Sequence, residues 1–200
     1  MAIFADMKRI ILITGGERSG KSVHAEQLAL RLSEHPVYLA TARIWDEEFR
    51  GRVRIHRERR GAQWTNIEEE KYLSRHDLTG RTVVVDCVTL WATNFFFDYT
   101  PQPGSPAPNP SDTVESRQAQ AGIRQVEETL QAVKEEFLRF TSQDATFIFV
   151  TNEIGMGGVS TNELQRRFTD LLGWANQFVA SQADEVYLMV SGIPMKIKQT

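Results

Sequence analysis

A single cysteine, Cys87, is all the thiol in this 200-residue sequence, so no internal disulfide can form. No group of Cys and His has the spacing of a zinc site, which leaves structural zinc out of the reading. No apolar run approaches the roughly 18 residues needed to cross a bilayer, and the stretch from Met1 to Met7, with Asp6 in it, lacks the apolar core of a secretion signal. A strong excess of one charge is missing too. The formal net charge is −3, which offers no overall attraction to nucleic acid or to an anionic membrane. No internal repeat is visible. The sequence therefore reads as cytoplasmic, in a compartment that keeps thiols reduced, with no nucleic-acid partner and no stable membrane insertion expected. With 41% hydrophobic residues over this length, the chain can bury a full core and is expected to form one domain over 1–200.

Five short β-branched and apolar runs are present: Ile10 to Thr14, Val37 to Thr41, Thr82 to Asp86, Thr146 to Thr151 and Val186 to Ser191. Each reads as a strand buried on both faces. Segments of helical period separate several of them. Val126, Leu130, Val133, Phe137 and Phe140 step by four and three, with Asp112 and Glu115 in capping-box register ahead of them, which predicts a long amphipathic helix. Ser160 and Glu163 repeat that spacing ahead of Leu164, Phe168, Leu171, Ala175 and Phe178, which predicts a second. Strands alternating with helices imply right-handed crossovers and a mainly parallel sheet covered on both faces. Five of the seven prolines fall within 101–110, so an exposed proline-rich loop is expected at about 100–111.

The first apolar run leads straight into Gly15-Gly-Glu-Arg-Ser-Gly-Lys-Ser22, a full match to G-x-x-x-x-G-K-[ST] between a predicted strand and a predicted helix, the context that gives the motif its meaning. Gly15 and Gly20 let the backbone wrap closely around the phosphates of ATP or GTP. The loop amides, from Gly16, Glu17, Arg18 and Ser19 into the helix start, supply partial positive charge. Lys21 is expected to reach the β- and γ-phosphates, and the Ser22 hydroxyl to ligate Mg²⁺. Asp86, closing an apolar strand, is expected either to hold Mg²⁺ through water or to accept a proton from a substrate hydroxyl. A strand-end aspartate that caps the next turn is the other reading. The fold predicted is α/β, a P-loop NTPase (RecA-like) of three layers with a mostly parallel central sheet and helices on both faces.

Arg50-Gly-Arg-Val-Arg-Ile-His-Arg-Glu-Arg-Arg60 gathers six arginines around His56 in an otherwise acidic chain. At helical spacing Arg52, His56 and Arg60 share a face. Flanking positive charge disfavours imidazolium and leaves His56 neutral and nucleophilic. That suits attack on an α-phosphorus, with arginines such as Arg52 and Arg57 holding the polyphosphate. A solvated basic helix face or a nucleic-acid patch accounts for the same run of charge.

Taken in order, the loop at 15–22, the segment ending Arg54-Ile-His-Arg57, and Asp86-Cys-Val-Thr-Leu-Trp-Ala-Thr-Asn94 resemble the bifunctional adenosylcobinamide kinase and adenosylcobinamide-phosphate guanylyltransferase family of cobalamin synthesis. Val150-Thr-Asn-Glu-Ile-Gly-Met-Gly157, Arg167-Phe-Thr-Asp170, Asn176-Gln177, Ala183-Asp-Glu-Val186 and Ser191-Gly-Ile-Pro194 extend the likeness to about Lys198. The resemblance implies two reactions. A γ-phosphoryl group passes from ATP or GTP to the aminopropanol hydroxyl of adenosylcobinamide. GMP then passes from GTP to adenosylcobinamide phosphate through a guanylylated histidine, giving adenosylcobinamide-GDP and pyrophosphate. The family's histidine maps onto His56. The resemblance also implies a homo-oligomer, with a trimer among the forms. This sequence departs from the family at Gly158 and at Gly173-Trp174-Ala175, where corrinoid contacts are the feature put in doubt. Asn152 and Glu153, at the end of a predicted strand, are candidate substrate-binding residues, or simply a strand-to-loop turn. Another P-loop small-molecule kinase, without guanylyl transfer, fits the phosphate loop equally well. A nucleotide-dependent switch or motor is disfavoured by the absence of an Asn-Lys-x-Asp guanine motif.

Overall fold

The computed structural model describes residues 8–44, 47, 51, 60–100 and 113–199. All five predicted strands form: β1 (Arg9–Gly15), β2 (Val37–Ala40), β4 (Thr82–Asp86), β5 (Thr146–Val150) and β6 (Glu185–Val190). Two strands without an apolar run join them, β3 (Thr65–Glu68) and β7 (Ile193–Gln199). The sheet order is β3-β2-β4-β5-β1-β6-β7. Every neighbouring pair is parallel except β6 with β7, which runs antiparallel. The described helices are α1 (Lys21–Leu32), α2 (Val88–Phe97), α3 (Val114–Phe140) and α4 (Glu163–Gln182).

The pleat divides the apolar residues of each strand between two layers. Ile10, Leu12, Val83, Val85, Phe147 and Phe149 face one side, where Val133, Phe137 and Phe140 of α3 and Val179 of α4 cover them. Ile11, Ile13, Val84, Ile148 and Val150 face the other side, against Ala25 and Ala29 of α1. The three-layer α/β arrangement read from the sequence is therefore present, with the thin, alanine-rich face of α1 on the phosphate-loop side. The thicker layer is aromatic: Phe137 lies 5.0 Å from Phe149 and Phe140 4.8 Å from Phe147, centroid to centroid. Each such fully buried ring contributes on the order of 2–3 kcal/mol of transfer free energy.

The helix starts correct two expectations. Thr113 caps α3, its side chain accepting from the Ser116 amide at 3.2 Å, whereas the spacing had pointed to Asp112, which lies outside the described residues. Asn162 caps α4 by accepting from the Gln165 amide at 3.0 Å. Ser160, the expected cap, instead accepts from the Asn162 amide at 3.1 Å. Thr113 and Asn162 stand immediately before the first helical residues, Val114 and Glu163, the position from which a side-chain oxygen reaches the amide three residues on. The proline-rich loop expected at about 100–111 lies outside the described residues from Pro101 on.

Glu185 joins three strands. It accepts from Arg9 of β1, from Lys196 of β7 at 2.7 Å and from the Tyr187 hydroxyl at 2.7 Å. Burial pushes its pKa up, but these hydrogen bonds outweigh it and hold the carboxyl at about 2 rather than near 4.5. A depressed carboxyl stabilises the fold above its unfolded pKa, and the contribution fades as pH falls toward the folded value. Glu185→Gln is therefore expected to cost about 1–3 kcal/mol in urea unfolding at pH 7, with the gap to wild type narrowing between pH 4.5 and 2. A gap independent of pH over that range would contradict this account.

Candidate active site

Where β1 runs out of apolar residues the chain turns back over the strand end. Gly15 takes φ 148° and Gly20 95°, values that glycine adopts at little cost, and Arg18 takes 57°, a left-handed conformation uncommon for a residue with a side chain. Gly20 caps α1 with no side-chain hydrogen bond, so the first amides of the helix remain open to an anion. Lys21 opens the helix and is only 7% exposed. Its Nζ donates to the Gly16 carbonyl at 2.5 Å. Burial lowers its pKa below that of a free amine, against the negative fields of Asp86 and Glu17. Ser22 follows, half-buried. The Ser19 hydroxyl is buried without a hydrogen-bond partner among the described residues, an orphan that a phosphate oxygen would satisfy.

The outer side of the loop leans on the β6–β7 reversal. Ser191 at φ 51° and Gly192 at φ 84° make that turn, and the Gly192 amide donates to the Ser19 carbonyl at 3.0 Å.

Asp86 ends β4, in register with Ala40 of β2 and Val150 of β5. Tyr38 donates its hydroxyl to Asp86 Oδ2 at 2.6 Å. Burial, then the Asp86 charge, push the Tyr38 phenol well above its ordinary pKa, which keeps it a donor. The adjoining Cys87 thiol is fully enclosed and pushed up to about 12, so it packs rather than reacts. Thr41 brackets this corner: its Oγ1 donates to the Cys87 carbonyl at 2.8 Å and accepts from the Cys87 amide at 2.9 Å. Asn94, 1% exposed, donates to the carbonyls of Thr41 at 2.8 Å and Glu70 at 2.9 Å, fixing α2 over the ends of β2 and β3.

A third segment follows β5. The Glu153 amide donates to the Gly15 carbonyl at 3.2 Å, and its carboxylate accepts from the Thr14 hydroxyl at 2.7 Å and the Asn176 amide at 3.2 Å. Asn176 also donates to the Asn152 carbonyl at 3.0 Å and accepts from Thr151 at 2.7 Å. The Asn152 amide donates to Thr89 Oγ1 at 2.9 Å. Glu153 thus braces the base of the phosphate loop from α4.

The fold brings Gly15, Gly16, Glu17, Arg18, Ser19, Gly20, Lys21, Ser22, Asp86, Asn152 and Glu153 to the carboxyl ends of neighbouring strands, where parallel sheets bind ligands. His56, Arg52 and Arg57 lie outside the described residues. Arg60, at the end of the same segment, is described, with its guanidinium 3.5 Å from the centre of the Tyr38 ring. Among the described residues no three His, Cys, Asp or Glu side chains gather as a metal site. Ser22, directly, and Asp86, through water, could supply oxygen donors that fit Mg²⁺ when nucleotide phosphates and further water complete the shell. Tyr38, Thr41, Asn94 and Asn176 were not singled out from sequence for their part here. Each is a polar side chain inside an apolar stretch, and that was the available signal.

The chain matches the family described as cobinamide kinase / cobinamide phosphate guanyltransferase over residues 11–197. It is 38% identical over 194 residues to the bifunctional adenosylcobalamin biosynthesis protein CobU of Escherichia coli strain K12, covering 94% of this chain and 99% of that protein. It is 35% identical over 192 residues to the bifunctional adenosylcobalamin biosynthesis protein CobP of Pseudomonas aeruginosa strain PAO1, covering 94% of this chain and 96% of that one. Among solved structures it resembles the flagellar accessory protein FlaH from Methanocaldococcus jannaschii at 12% identity, over 97% of this chain and 80% of that chain, with a TM-score of 0.45.

Proposed function

The chain belongs to the cobinamide kinase / cobinamide phosphate guanyltransferase family, a family of transferases, and on that premise we propose that it carries out both reactions on adenosylcobinamide. In the first, the substrate's aminopropanol hydroxyl attacks the γ-phosphorus of ATP or GTP, the bond to the β-phosphate oxygen breaks, and the nucleoside diphosphate leaves. Lys21 and the amides of 15–22 hold the phosphates, and Asp86 takes the hydroxyl proton or orients the metal's water. Mg²⁺, held by Ser22 and through water by Asp86, neutralises charge on the transferring group when bound. In the second, His56 attacks the α-phosphorus of GTP and pyrophosphate leaves. A phosphate oxygen of adenosylcobinamide phosphate then attacks the phosphorus and the P–N bond breaks, which returns neutral His56. Arg52 and Arg57 hold the polyphosphate meanwhile. Splitting one displacement into two is what an imidazole nucleophile offers. Asn152 and Glu153 border the substrate side. The same reading has the chain act as one catalytic domain, in the cytoplasm and as a homo-oligomer.

The observation that carries the nucleotide half is the phosphate loop, with buried Lys21 within the field of Asp86 and an unpartnered Ser19 hydroxyl. The histidine half rests on the family and on the arginine-flanked His56. With α-³²P GTP and Mg²⁺, wild type is expected to retain acid-labile label and His56→Ala none. Label retained by that variant sinks the covalent step. Supplied with adenosylcobinamide, ATP and GTP, the protein should yield both products by mass; phosphate without the GDP conjugate would reduce it to a kinase.

A further inference from the structure

Tyr38 interrupts an apolar strand, Val37–Ala40, with a hydroxyl at a site only 4% exposed. A phenylalanine would fill the same space without burying a polar group, so the hydroxyl costs stability unless a partner offsets it. Its partner is Asp86 Oδ2, at 2.6 Å. The ring has two further neighbours. Trp64 meets it edge-on at 6.0 Å, and the Arg60 guanidinium lies 3.5 Å over its centre. Arg60 is fixed in turn: Nε donates to Asn66 Oδ1 at 2.9 Å, and Nη1 stands 3.8 Å from Glu26 of α1, with the Arg60 side chain only 5% exposed. A buried guanidinium stacked on a buried phenol, whose hydroxyl ends on a strand-end carboxylate, is a large investment for packing alone.

We propose that Tyr38 is a positioning residue for the metal function of Asp86: it takes one carboxylate oxygen and so fixes the other toward the phosphate loop, while Arg60 locks the tyrosine ring. Such outer hydrogen bonds fix the direction of a ligand's lone pairs, and losing one typically weakens metal affinity by about 10–100-fold. The inference rests on the nucleotide-and-metal reading above. It extends that reading to Tyr38 and Arg60, which act through Asp86, and it makes Arg60, which closes the arginine-rich segment, part of the support of the kinase site.

The test is Mn²⁺ binding, followed by electron paramagnetic resonance on the full chain with GDP present. Tyr38→Phe keeps the ring beneath Arg60, so its thermal midpoint and its affinity for metal-free GDP should match wild type, while Mn²⁺ binds about 10-fold more weakly. In an Asp86→Asn background the same change should have no further effect, because the tyrosine acts only through that carboxylate. Equal Mn²⁺ affinity in wild type and Tyr38→Phe overturns the assignment, as does an undiminished Tyr38→Phe effect beside Asp86→Asn. Wild-type protein that takes up no Mn²⁺ with GDP removes the metal site itself, and with it the nucleotide-and-metal reading.

Discussion

Lys21→Ala is expected to slow phosphoryl transfer to adenosylcobinamide by about 10²–10³-fold while leaving the fold intact. Lys21 as a whole is 7% exposed, and its ammonium donates to the Gly16 carbonyl at 2.5 Å. Desolvation works against its charge, and an anionic phosphate would be a stronger partner for it than the neutral carbonyl. Removing one preorganised donor from a site of developing negative charge typically costs that much in rate. Stability should move little or rise, because among the described residues the one hydrogen bond of this buried charge goes to a carbonyl, and such a charge contributes little to folding. The measurement is initial rate of adenosylcobinamide phosphate formation at saturating nucleotide, alongside thermal unfolding. A rate within 10-fold of wild type would remove Lys21 from the transfer step; a collapsed midpoint would make its role structural.

Gly15→Ala should damage both fold and binding. At φ 148° the residue is already in a region that L side chains rarely adopt, and an added Cβ would stand 2.6 Å from the Met189 carbonyl oxygen and 3.0 Å from Ser19 Oγ. The first of these is backbone of β6, paired in register with Gly15 itself, so relief requires the two strands to part. The same residue's carbonyl accepts from the Glu153 amide, and that brace would shift with it. A cost of about 3 kcal/mol follows for strain plus clash, with nucleotide affinity falling at least tenfold. Gly16→Ala provides the contrast one residue on. Nothing lies within 4 Å of its Cβ position, so it should unfold like wild type. Equal midpoints for the two variants would refute the steric argument.

The buried strands were legible because a strand covered on both faces is apolar at every position, as in Ile10 to Thr14. β3, with Thr65, Asn66 and Glu68 exposed or nearly so, has no such run and forms because β2 offers it an open edge. β7 is exposed almost throughout and is an edge strand that tolerates Pro194. α2 carries apolar residues nearly all round, so no face stood out, and it is buried over most of its surface. In the site, the loop and Asp86 announced themselves by spacing. Their supports did not: Tyr38 meets Asp86, and Asn176 meets Thr151 and Glu153, only after the chain has folded. Contacts between residues that far apart leave no local pattern. What a single sequence does offer is the anomaly of a polar residue in an apolar stretch, as with Asn176 between Ala175 and Val179.

The hydrogen bond from the Gly192 amide to the Ser19 carbonyl bears on the order in which this chain is made. The loop at 15–22 precedes β5 and β6 in the chain, yet β1 is flanked by both, and the turn that supports the loop follows β6. A nascent chain on the ribosome thus carries the G-x-x-x-x-G-K-S motif before it has the strands and turn that hold it in shape. Contacts of such sequence separation form slowly. A chain cut before the β6–β7 hairpin would carry the whole motif and lack the turn whose amide supports it.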